Sequence, residues 1–100
     1  MEIKVRRKGN IIILDLVGRI DVNSANLIET VGQCIREGYC DILCNFEMVE
    51  FIDYMGISVI VIAYKEVMNS SGRMKFANIL SHLKGLFSVA GLDKVIDVYA

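Results

Sequence analysis

The segment Asp53-Tyr54-Met55-Gly56 sets a carboxylate, a phenol and a thioether side by side and closes them with a glycine. A carboxylate just ahead of a helix can accept hydrogen bonds from unpaired N–H groups, here those of Met55 and Gly56. It also suits the positive end of the helix dipole. Gly56 lets another backbone approach closely, or fits tight packing within the fold. Tyr and Met are side chains common at the centres of protein interfaces. Asp15, Asp21 and Asp53 could be imagined as a carboxylate cluster for a metal or for acid–base work. Asp21 more simply shapes a loop ahead of a helix, and Asp15 lies mid-strand with no evident partner. Cys34, Cys40 and Cys44 lack C-x-x-C spacing, and with His82 the one histidine a four-ligand zinc site is not expected. The thiols read as reduced, small apolar residues, and His82 as a surface residue. No G-x-S-x-G, H-E-x-x-H, Walker or dinucleotide fingerprint occurs. The reading is a chain that is not an enzyme and uses no metal or cofactor.

The elements that must position these residues follow from periodicity. Ile3 and Val5 alternate with Lys4 and Arg6, and Lys8-Gly9-Asn10 supplies a turn into a buried strand from Ile11 to Val17. An antiparallel hairpin is expected. Asn23-Ser24 offers cap oxygens to a helix carrying Leu27, Ile28, Val31, Cys34 and Ile35 inward, which Gly38 closes. Asp41 to Asn45 reads as a short strand. Ile57 to Asn69 has strand-like residues, but a run of that length without a breaker predicts a helix. Its core-facing strip would be Ile57, Ile60, Val61, Tyr64, Val67 and Met68, leaving Met55, Ser58, Val59, Ile62 and Glu66 outward. Arg73 to Ala77 is a strand, Ser81 caps a last helix with Leu83, Leu86, Phe87 and Ala90 inward, and Val95 to Val98 is a closing strand. This order predicts an α/β fold: a mixed, mostly parallel sheet of four to five strands flanked by helices.

Composition sets the bounds. One hundred residues, 54% apolar and 23% charged, fit a single domain over residues 1–100 and exclude disorder. A formal charge of −1 lacks the positive field that nucleic acid binding requires. Lys4, Arg6, Arg7 and Lys8 could form an anion or lipid patch, but read more simply as a charged, solvated edge hairpin. The start has no signal-peptide pattern, and the longest apolar run, Ile57 to Tyr64, is far short of the ~20 residues that span a bilayer. A cytoplasmic protein without membrane contact is expected.

Four stretches in this order, Gly18-Arg19-Ile20-Asp21, Phe51-Ile52-Asp53-Tyr54-Met55-Gly56-Ile57, Gly72-Arg73-Met74 and Leu86-Phe87-Ser88-Val89-Ala90-Gly91-Leu92, make the chain resemble the STAS family of anti-sigma factor antagonists. Gly18-Arg19-Ile20-Asp21 resembles the family's G-x-[LI]-D, and Phe51-Ile52-Asp53-Tyr54-Met55-Gly56-Ile57 its F-[IM]-D-S-[ST]-G-[LI] signature. Gly72-Arg73-Met74 enters its strand as in family members, and Leu86-Phe87-Ser88-Val89-Ala90-Gly91-Leu92 resembles the F-x-x-x-G-[LI] ending of the last long helix. The resemblance implies a module that binds an anti-sigma factor of kinase fold and so releases a sigma factor. In typical members the first hydroxyl residue after the signature Asp is phosphorylated by that partner, which breaks the complex. Here Tyr54 holds that position and Met55 the next, so the usual off-switch is not expected, at Tyr54 or at Ser58. The expected partner-binding residues are Asp53, Tyr54, Met55, Gly56, Ser58, Val59 and Ile62, an apolar patch of the kind that marks protein contacts. The rival readings are a small-anion or nucleotide sensor using the N–H groups at that helix start, and a scaffold subunit or homodimer covering the strip.

Overall fold

A computed structural model describes residues 1–92, so the expected strand Val95 to Val98 lies outside the described residues. The turn at Gly9-Asn10 folds β1 (Glu2–Lys8) back on β2 (Ile11–Ile20), with Lys8 opposite Ile11 and Glu2 opposite Val17. Helix α1 (Asn26–Arg36) carries the chain across to β3 (Asp41–Ile52), and α2 (Tyr54–Asn69) to β4 (Arg73–Ala77). A 3₁₀ turn (Ser81–Leu83) leads into the short α3 (Lys84–Val89). Spatial order in the sheet is β1-β2-β3-β4, with β1 antiparallel and the other neighbours parallel. This is the expected mixed, mostly parallel α/β sheet.

The core lies between one face of the sheet and the helices. Leu14 and Leu16 from β2, Ile42 and Phe46 from β3, and Phe76 from β4 meet Leu27 and Val31 of α1 and Ile60 and Val67 of α2. Phe46, Phe76 and Phe87 close the α3 end as three edge-to-face aromatic contacts with centroids 5.5–5.7 Å apart. The other face carries the alternate residues of the strands, among them Ile13, Asp15, Leu43, Asn45 and Lys75, and none of these belongs to the core cluster.

Four expectations are corrected. β3 runs to Ile52 and not to Asn45, because its inward residues continue as Phe46, Val49 and Ile52. Asn23-Ser24 does not cap α1. Ser24, fully buried, accepts from the Asp21 N–H (3.0 Å) and donates to the Arg19 carbonyl (3.2 Å), folding the loop ahead of the helix. Ser81 makes no cap bond either, and the last helix is shorter than its apolar stripe suggested. Helix α2 begins at Tyr54, and its buried stripe is Gly56, Val59, Ile60, Ala63 and Val67 together with Ile57. That stripe is centred about one position earlier than expected, which turns Val59 inward and Met68 outward. Gly38 closes α1 as expected, with φ +91°.

Candidate functional site

The parallel strands β2 and β3 end together, Ile20 opposite Ile52, and both chains must leave the sheet there. Asp53 leaves in extended conformation, donating its N–H to the Ile20 carbonyl at 3.3 Å. Its carboxylate then accepts the Gly56 N–H at 2.8 Å, and its carbonyl accepts the Ile57 N–H at 3.0 Å. This is the cap expected from the sequence, made to Gly56 alone of the two N–H groups considered. The cap fixes the direction of α2 and so fixes where Tyr54 and Met55 point.

They point outward. Tyr54 is 71% exposed, Met55 54% and Ile62 47%, with Ser58 exposed between them. The Ser58 hydroxyl donates to the Tyr54 carbonyl at 3.1 Å, tying it to its own helix. Val59 and Gly56 do not share this surface. Val59 is buried by the rotated stripe, and Gly56 presses on the β2–α1 loop. A Cβ at Gly56 would overlap the Ile20 carbonyl, so of its two readings the close approach is one within the same chain. The residues brought together at the surface are therefore Asp53, Tyr54, Met55, Ser58 and Ile62.

Sequence reasoning missed neighbours at the same end of the sheet. Val22 is 61% exposed, and Phe51 lies under the Arg19 guanidinium, 4.5 Å from carbon to ring centroid. For Phe51 the spacing after Phe46, with inward residues at three and not two, is ambiguous until the paired strand is seen, and Val22, in the loop after β2, carries no such signal. The three carboxylates do not gather. Asp21 caps the Asn23 N–H, Asp53 caps α2, and Asp15 does have partners. It accepts Arg6 at 2.5 and 2.9 Å and the Asn45 amide at 2.9 Å, and the Arg6 hydrogen bonds hold its carboxyl below the usual range. Among the described residues no group of His, Cys, Asp or Glu has metal-binding geometry. No described helix is long and apolar enough to cross a membrane. In the basic cluster, Arg6 pairs with Asp15 and Arg7 stacks on Tyr39 at 4.9 Å.

The STAS domain family model matches residues 2–100. This chain belongs to the STAS family. It is 29% identical over its whole length to the anti-sigma-B factor antagonist of Bacillus subtilis, of which it covers 92%. It is 22% identical to the anti-sigma F factor antagonist of Paenibacillus polymyxa, with 99% of this chain and 86% of that one aligned. The solved structure of the anti-sigma factor antagonist SpoIIAA in its unphosphorylated form superposes with a TM-score of 0.84 at 19% identity, covering 99% of this chain and 89% of that one. The STAS fold and the likeness to anti-sigma factor antagonists thus agree with the motifs read at residues 18–21 and 51–57.

Proposed function

We propose that this STAS chain is an anti-sigma factor antagonist that acts in the cytoplasm by binding, with no chemistry of its own. It docks an anti-sigma factor of kinase fold through Asp53, Tyr54, Met55, Ser58 and Ile62, releasing a sigma factor. The carrying observation is that an Asp53-capped helix presents Tyr54 and Met55 to solvent in its first turn. Exposed apolar and aromatic groups on a rigid element lose little conformational freedom when covered. With Tyr54 in place of the aliphatic hydroxyl, the complex is not broken by phosphorylation, since the phenol reaches ångströms beyond where a kinase for serine delivers phosphate. The anion-sensing alternative is disfavoured by the Asp53 carboxylate, which already occupies the Gly56 N–H and brings a negative charge to the helix start.

Affinity capture from the native cytoplasm tests this reading. The tagged protein should recover a kinase-fold anti-sigma factor, and Tyr54→Glu should weaken the complex by about tenfold or more. Incubating the pair with ATP should add no phosphate by mass spectrometry. Recovery of no such partner, or indifference to Tyr54→Glu, refutes the reading, and light scattering separates out a self-associating scaffold.

A further inference from the structure

Inward residues of β3 recur at every second position through Ile42, Cys44 and Phe46, then at every third through Val49 and Ile52. Two extra residues are therefore inserted into the last part of the strand, matching register irregularities between Asp15 and Val17 and between Gly18 and Arg19. Gly18, at φ +101°, supplies a conformation that side-chain-bearing residues rarely adopt. Bulges of this kind re-aim side chains and recur beside functional sites. Here they reverse the fate of an apolar residue. Simple alternation from Phe46 would bury Met48, whereas Met48 is 60% exposed and Phe51 38% exposed, both away from the core.

In register, Met48 stands opposite Val17 and Phe51 opposite Arg19, so the two form a short apolar track leading up to Asp53 and Tyr54. The Arg19 guanidinium lies over the Phe51 ring and 4.0 Å from Asp21, so its charge is already engaged. A groove of about 340 Å³ runs beside the track, with Val17, Glu47 and Met48 on one side and Lys4 and Arg6 on the other. Arg6 is held by Asp15, and Lys4 is 3.9 Å from Glu2. Glu47 and Glu50, by contrast, are exposed and carry no ion pair among the described residues. Among the described residues, the charge left available around the track is negative.

We propose that the docking surface continues over the strand ends onto the face of the sheet that no described helix covers, where Met48 and the Arg19–Phe51 stack receive a basic amphipathic segment of the bound protein. The reading above supplies the identity of that protein; the chemistry of the track stands on the bulges and the unpaired glutamates. A segment with apolar side chains flanked by Lys or Arg covers Met48 and Phe51 and neutralises Glu47 and Glu50, which steers its approach and sets its register.

Two synthetic amphipathic peptides, identical in apolar residues and flanked by Lys or by Glu, test this by NMR titration of the labelled protein. The Lys-flanked peptide should shift the Met48 methyl and the amides of Glu47, Glu50 and Phe51. It should bind about tenfold or more tightly than its Glu counterpart at low salt, with the gap shrinking near 1 M salt, where screening acts within about 3 Å. The double variant M48S/F51S, melting like the parent, should lose that preference. Equal binding of both peptides, shifts elsewhere, or a dimer in which a second copy covers Met48 overturns the proposal. The captured anti-sigma factor adds a separate arm. If Tyr54→Glu weakens it and M48S/F51S does not, this extension fails while the functional reading stands. If no anti-sigma factor is recovered, the functional reading fails and the peptide titration alone decides the extension.

Discussion

Asp15 shows how much a single side chain can do away from any candidate site. It sits mid-strand on the face that no described helix covers, accepts two hydrogen bonds from Arg6 across the hairpin and one from Asn45 on the next strand. Asn45 in turn accepts the Asn78 amide at 2.9 Å, so the bonds span the sheet from β1 to the end of β4. The Arg6 hydrogen bonds lower the Asp15 pKa against the opposing effect of its partial burial. The folded protein therefore releases this proton at lower pH than the unfolded chain, and stability rises with pH between the two values. The contribution is complete above about pH 4, the ordinary carboxylate value, and fades as pH falls through the folded-state value. Asp15→Asn should melt below the wild type at pH 7 and converge with it in acid, read as melting temperature across a pH series. A constant gap at all pH values would remove the charge from this account.

At the scale of elements, α2 is organised by the contact beneath Gly56. Gly56→Ala should force α2 off the Ile20–Asp21 backbone and cost about 1–3 kcal/mol, the usual range for overpacking. Gly85→Ala in α3 is the matched control. A Cβ there meets no atom of the described residues within 4 Å, so its melting temperature should hold or rise. Equal behaviour of the two variants would show that the α2 start has room to move. The elements themselves were largely legible in the sequence. The hairpin followed from strict alternation and a Gly-Asn turn, and α2 from its unbroken length despite β-branched residues that favour strands. The exposed first turn was legible too, from Asp53 as a cap. The bulges in β3 were not, because a three-residue recurrence over Phe46, Val49 and Ile52 is ambiguous without a neighbouring strand to count against. The rotation of the α2 stripe was hidden for a related reason. Ala63 and Gly56 weigh little in a hydrophobic pattern, yet their small size lets the helix lie close and sets which side faces in. Asp15 seemed partnerless because Arg6 meets it diagonally and Asn45 lies thirty residues on.

Across the whole molecule, the described helices cover one side of the sheet, and the three cysteines sample different depths below that cover. Cys44 is buried on β3, and burial pushes its thiol up to about 12; Cys34 is raised by the same cause, while Cys40 is partly exposed where it precedes β3. Alkylation requires the thiolate, so a buried neutral thiol reacts through opening of the fold. Cys40 should label first in native buffer, and Cys44 only where denaturant removes the far-ultraviolet circular dichroism signal. Quantified by mass spectrometry, comparable rates at the two positions would show that the sheet opens locally at β3. Since the unfolded thiol ionises from about pH 8.5, the folded state should also lose stability as pH rises beyond that value.

The contact of Gly56 with Ile20, joined by the Asp53 N–H on the same carbonyl, makes one object of two stretches that lie more than thirty residues apart. Residues 18–21 and 53–56 look like separate signatures when written as text, yet neither can be exchanged alone. A chimera that imports a relative's turn at 53–56 must bring that relative's 18–21 as well, or the transplanted loop will sit on a floor shaped for another. Among homologues the two stretches should therefore vary in concert, through backbone fit, even at positions that no binding protein ever touches.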